Sequence, residues 1–209
     1  MSKALHVRRL IYHQKMKKLK PITRIIIAIT ALSLVSAYFV PLWQILMWAP
    51  QYPEGLEMKI WISTLSGEVR TISALNHYIG MKTIEPSMFP EFGYMIYLVG
   101  SIIAIGLLAA IANKRIGLII FLCTILAAGV GALVDFYLWG YDYGHNLNPE
   151  APIKIEGMSY QPPLIGTKQL LNFTAFSGPD IGGWVFIGAG IILFGLWIYE
   201  WKKFNKQVE

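Results

Sequence analysis

The sequence is short of cysteine and of charge. Its 209 residues hold a single cysteine, Cys123, and charged side chains make up 14%, against about 25% in an ordinary soluble domain. One cysteine excludes an intramolecular disulfide, Cys-x-x-Cys metal sites, cysteine-ligated iron–sulfur clusters and Cys-x-x-Cys-His haem attachment. Because Cys123 lies inside an apolar run, it reads as a small buried hydrophobe. Also absent are the Gly-x-x-x-x-Gly-Lys-Ser/Thr, His-Glu-x-x-His and Gly-x-Ser-x-Gly patterns and a convincing Ser-His-Asp grouping. A hydrolase or ATPase is therefore not expected, and no catalytic residue is assigned.

What is present is apolar surface. Hydrophobic residues reach 55% and the mean hydropathy is +0.50, which excludes disorder, coiled coil and collagen and leaves a membrane protein. Four stretches, residues 24–47, 93–112, 116–139 and 181–201, approach the roughly 20 apolar residues that cross a ~30 Å hydrocarbon core. Without water to satisfy backbone groups, each is expected to be a helix. The expected class is an all-α membrane protein: four transmembrane helices with two ordered extracytoplasmic loops, 48–92 and 140–180, containing short strands and helical turns. A basic arm (1–23), a short link (113–115) and a tail (202–209) complete the chain.

Lys and Arg fall unevenly. Lys3, Arg8, Arg9, Lys15, Lys17, Lys18, Lys20, Arg24, Lys114, Arg115, Lys202, Lys203 and Lys206 share one side, thirteen in all; Lys59, Arg70, Lys82, Lys154 and Lys168, five, share the other. The positive-inside bias places both termini in the cytoplasm and both long loops outside. The net charge of +6 then reflects topology and lipid contact, not nucleic-acid binding. A cleaved signal at Ile25–Leu34 with Val35-Ser36-Ala37 is the competing reading, opposed by the length of the charged region and the apolar run on to Met47. Trp43, Trp48, Tyr94, Tyr97, Tyr137, Trp139 and Trp184 suit one interface, and Trp197, Tyr199 and Trp201 the other. Pro41 is expected to kink the first helix. Gly106 with Ala110 and Ala127 with Gly131 offer close helix contact.

Within the loops, Met58–Ser63 and Val69–Ile72 around Ser66-Gly67 read as a hairpin, Ser73–Gly80 as helical turns and Ile153-Lys154-Ile155 as a strand. Gln161-Pro162-Pro163 reads as an extended bend, Thr167–Phe176 as a short helix capped by Thr167, and Asp180 as the cap of the last membrane helix. No histidine lies within a span, which argues against a membrane b-type haem. Six of the eight methionines, Met47, Met58, Met81, Met88, Met95 and Met158, lie in the loops or at the outer ends of spans. Thioether and imidazole suit Cu(I). If Asn76–Met81 is helical, His77 and Met81 share a face, with His145 and Met158 as a second half; a methionine at an interface also serves simply as packing. Asp135, at the outer end of the third span, suits either an ion path or interfacial solvation. Tyr141–His145 with Tyr160, Lys168 and Asn172 suits either headgroup, quinol or partner binding or loop closure.

Four blocks stand out together: Gln51-Tyr52-Pro53-Glu54-Gly55-Leu56, Leu75-Asn76-His77-Tyr78-Ile79-Gly80-Met81, Tyr141-Asp142-Tyr143-Gly144-His145-Asn146-Leu147, and Gly157–Gly166 continuing into Lys168–Phe173. From about Pro41 to Trp184 the chain resembles a family of small polytopic membrane proteins encoded in nitrous oxide reductase (Nos) gene clusters, especially those of Bacteroidetes-like bacteria. The resemblance implies a lipid-embedded accessory to a periplasmic redox or copper protein, nitrous oxide reductase or its maturation factors. It would either build copper centres, with His77, Met81, His145 and Met158 as copper contacts, or dock and pass electrons. A small transport component using Asp135 is the remaining reading.

Overall fold

The computed structural model describes residues 18–153, 157 and 159–205. In chain order these form α1 (Pro21–Ser33) with a 3₁₀ extension (Leu34–Tyr38), β1 (Trp43–Ala49), β2 (Tyr52–Ile60), β3 (Leu65–Gly67) and α2 (Val69–Tyr78). After two short 3₁₀ turns come α3 (Met95–Ala112), α4 (Arg115–His145), β4 (Gly166–Leu170), β5 (Phe173–Pro179) and α5 (Ile181–Asn205). The described residues divide into two compact units, one formed within 18–35, 99–127 and 186–205, the other within 36–98 and 128–185.

Among the described residues, four helical stretches are long and apolar enough to cross a membrane: Pro21–Tyr38, Met95–Ala112, Arg115–His145 and Ile181–Lys202. That fits a multi-pass membrane protein in contact with lipid. Pro21 in the first turn of α1 gives up a backbone donor that would have no intrahelical partner there. Ile27, Ala31 and Leu34 are fully buried, so the first span is an integral part of its bundle. At one end of that bundle, the buried Glu200 accepts the Thr23 hydroxyl at 2.7 Å and lies 3.5 Å from Arg115. Arg24 donates to the Ala110 carbonyl at 2.9 Å. Cys123 is exposed on its helix, contrary to the buried position expected of it.

Only one of the two expected small-residue pairs works as a contact. A methyl group on Gly106 would sit 2.6 Å from the Phe121 ring and 2.7 Å from Ala31, whereas one on Gly131 would meet nothing within 4 Å. Gly106→Ala is therefore expected to cost roughly 1–3 kcal/mol through overpacking. Gly131→Ala should stay within about 0.5 kcal/mol, leaning toward stabilisation because alanine is the better helix former. Thermal unfolding of both variants in detergent checks the contrast.

The second unit corrects the expected fold class. It is built on a five-stranded antiparallel sheet in the order β3-β2-β1-β5-β4, so the protein is not all-α. The largest error concerns residues 43–47, which continue no helix: they are β1, the middle strand. Pro41 does not kink a helix but separates the helical segment from the strand, since proline lacks an N–H and drives the preceding residue to extended angles. Hydropathy cannot distinguish a strand buried between two neighbours from a helix. β1 pairs with β2 (Ile45 opposite Met58, Met47 opposite Leu56) and with β5 (Ile45 opposite Ser177, Met47 opposite Ala175). Across the latter seam, Trp43 Nε1 donates to the buried Ser177 hydroxyl at 2.8 Å, which donates to Leu164 O at 3.2 Å.

Residues 167–176 form no helix either. Thr167 pairs with Phe176 and Leu170 with Phe173 across the two-residue turn Leu171-Asn172, with Leu171 in the left-handed region at φ 56°. A hairpin does form, as β2 with β3, but it turns at residues 61–64: Ser66 and Gly67, expected as its turn, pair with Lys59 and Met58 as strand β3, and Val69–Ile72 belongs to α2. Of Ile153-Lys154-Ile155, only Ile153 lies within the described residues, in a bend. Asp180 does stand at the start of α5, its carboxylate accepting Ile181 N–H at 2.6 Å. Lys59 lies 3.1 Å from Glu57 and 3.8 Å from Asp180. The hydrogen bond to Glu57 and the two negative charges hold its ammonium above the usual lysine range, against a smaller opposing effect of desolvation. Because β1 precedes α3 and β5 follows α4 while the two strands pair directly, the two long inter-helix segments lie on the same side of any membrane that those helices cross.

Candidate functional site

The inner face of the sheet is one wall of a cavity of about 300 Å³. Strand alternation puts Ile45 and Met47 of β1, Met58 of β2 and Phe173 and Ala175 of β5 on that face. α2 closes the cavity with Ile72, Leu75 and Asn76, and the chain leaving it adds Ile79, Met81 and Ile84. From α4 come Trp139 and Tyr143, four apart on one helical face with ring centroids 4.4 Å apart. Tyr160 and Pro162 form a strap across the end of α4, and Leu170–Asn172 supply the hairpin tip. The lining is overwhelmingly apolar and aromatic with a few polar groups, the usual make-up of a small-molecule pocket.

Local sequence explains how each piece is held. α2 ends in a Schellman motif: Gly80, at φ 83°, donates to His77 O at 3.1 Å and Met81 N–H returns to Asn76 O at 3.0 Å. The following segment is tied back by Asn148 N–H to Gly80 O (2.8 Å) and Ile153 N–H to Tyr78 O (2.9 Å). Tyr143 donates its hydroxyl to Thr83 O at 2.6 Å. The strap is fixed by Tyr160 N–H to Gly144 O at 2.9 Å and by Lys168 Nζ to Gln161 O at 3.0 Å. Unlike Tyr143, Tyr160 has a buried hydroxyl with no hydrogen-bond partner among the described residues.

The residues singled out for copper are placed differently from one another. α2 stops at Tyr78, so His77 and Met81 do not share a helical face: His77 is exposed, and Met81, past the left-handed glycine, is buried in the cavity wall. His145, exposed at the end of α4, stacks on Tyr141 with centroids 4.0 Å apart and bonds through Nδ1 to Tyr141 O at 3.0 Å. Met158 lies outside the described residues. Neither histidine belongs to the lining, whereas Met47, Met58 and Met81 all do. Among the described residues no three His, Cys, Asp or Glu side chains cluster as metal ligands would.

Much of the polar set at 141–145 closes loops: Asp142 pairs with Lys82 and accepts from Asn146, and Asn172 reaches Gln51 at 3.1 Å. Asp135 is exposed and does not end its helix, which continues ten residues further to His145. Sequence reasoning missed Ile45, Met47 and Trp139 as site residues, having given them to a span or an interface. The available signal was the alternation Trp43, Ile45, Met47 immediately after a proline. No family model, curated protein or solved structure matches the chain.

Proposed function

We propose that this chain is an accessory protein of a bacterial inner membrane that serves a periplasmic redox enzyme, nitrous oxide reductase, through its sheet unit. One observation carries the reading. The four sequence blocks behind the resemblance are far apart in the chain, yet each contributes to the lining of the same cavity: Gln51 from the first, Leu75, Asn76, Tyr78, Ile79 and Met81 from the second, Tyr143 from the third, and Tyr160, Pro162 and Leu170–Phe173 from the fourth. The likeness therefore concerns a site and its supports, not merely apolar helices. Cytoplasmic termini are supported by the thirteen-to-five division of Lys and Arg and by the pairing of β1 with β5, which keeps both long segments on one side.

Deleting the gene from a host that respires nitrous oxide is expected to lower whole-cell nitrous oxide reduction sharply, with recovery on complementation. The copper content of the reductase purified from the deletion strain separates assembly from electron supply. Unchanged nitrous oxide consumption rejects the assignment.

Copper relay is the second reading, favoured by the shared wall of Met47, Met58 and Met81, whose thioethers suit Cu(I). His77, His145 and Met158 would then act on transfer. Protein loaded anaerobically is expected to retain Cu(I), and Met81→Leu to lose most of it. A copper-free wild type after loading removes this reading and leaves the accessory role standing.

A further inference from the structure

We propose that the cavity is a binding site for a small, planar, largely apolar molecule carrying a carbonyl-type hydrogen-bond acceptor, which the Tyr160 hydroxyl meets. The key group is that hydroxyl. Tyr160 is only 2% exposed, lines the cavity and has a hydroxyl without a partner among the described residues, although its backbone N–H is satisfied by Gly144 O. Tyr143 on the same wall shows what is missing, since its hydroxyl is used by Thr83 O. A buried donor left unpaired destabilises the protein, and an incoming acceptor recovers that loss. A carbonyl oxygen satisfies the O–H without bringing a second proton that would need an acceptor of its own in an apolar wall.

Size and shape define the rest of the molecule. An apolar cavity of about 150 Å³ takes benzene, so one of about 300 Å³ suits two fused rings. The aromatic faces of Trp139, Tyr143 and Phe173 favour a flat ligand over a flexible chain. Tyr78 and Ile153, 54% and 47% exposed, mark the side from which it enters. The inference rests on the cavity and stands independently of the enzyme served.

The test uses the full chain in lipid nanodiscs, with 2-methyl-1,4-naphthoquinone and 2-methylnaphthalene as probes of matching shape. Binding is measured by equilibrium dialysis against empty discs. One hydrogen bond predicts that the quinone binds about 3–10-fold tighter than the hydrocarbon. Tyr160→Phe should erase that preference, leave hydrocarbon affinity unchanged and not lower the melting temperature. Ala175→Leu, which fills the cavity from β5, should weaken both probes at least about ten-fold, since it occupies the volume that each needs. Equal affinities in the wild type, a preference that survives Tyr160→Phe, undiminished binding in Ala175→Leu, or no saturable binding above empty discs would each overturn the proposal.

Discussion

Gly144→Ala is expected to unseat the strap that closes the cavity, at a cost of at least about 3 kcal/mol, the upper end for an overpacked core. Gly144 lies in the last turn of α4, where its backbone angles are ordinary for any residue, so the requirement for glycine comes from its neighbour. A methyl group there would strike the backbone nitrogen and Cα of Gln161, and would lie 2.8 Å from its Cβ. Backbone cannot swing aside as a side-chain end can. The segment 159–163 must lift, breaking Tyr160 N–H to Gly144 O and withdrawing Tyr160 and Pro162 from the wall. Loss of near-ultraviolet circular dichroism from the aromatic wall, with helical signal retained, is the expected signature. Wild-type spectra and melting for Gly144→Ala would show that the strap is not seated on the helix.

Gly67→Ala is expected to be comparably damaging, about 3 kcal/mol, for two reasons that add. Its φ of 90° lies where side-chain-bearing residues are strained, and a methyl group would run into the Glu57 carbonyl of the paired strand. That carbonyl accepts Glu68 N–H at 2.7 Å, so displacing it loosens both the β2–β3 hairpin and the start of α2. Gly157→Ala is the internal control: its φ is 74° but nothing among the described residues lies within 4 Å, so only backbone strain of about 1 kcal/mol is expected. Equal melting temperatures for the two variants would show that crowding at Gly67 contributes nothing.

The sequence was readable where a single physical signal decides the structure. Long apolar runs without charge gave α3 closely and α4 up to Trp139, six residues short of its end at His145, because little else satisfies a backbone in hydrocarbon. Asp180 at the start of α5 was equally direct. It misled where two structures share one signal. Residues 43–47 form the middle strand, with Ile45 and Met47 facing the cavity, and the same apolar composition would serve a membrane helix. The β4–β5 hairpin was hidden by its turn, since Leu171 occupies a left-handed position that normally announces itself with Gly or Asn. The candidate site shows the same division. His77 and Met81 have helical spacing on paper, but Gly80 ends the helix between them and sends one outward and the other into the wall. No local pattern could reveal the cavity, since it is assembled from segments as far apart as Ile45 and Ala175.

The union of β1 with β5 also sets a schedule for synthesis. β1 ends at Ala49, but β5 begins only at Phe173. At ribosomal speeds of about 5–20 residues per second, on the order of ten seconds separate the two. The two long apolar helices α3 and α4 are made in that interval. Throughout it, the newly made β1–β3 sheet presents the bare edge of β1, the sort of template on which misassembly starts. Slow translation would prolong that exposure and, with it, the time in which β1 can pair wrongly.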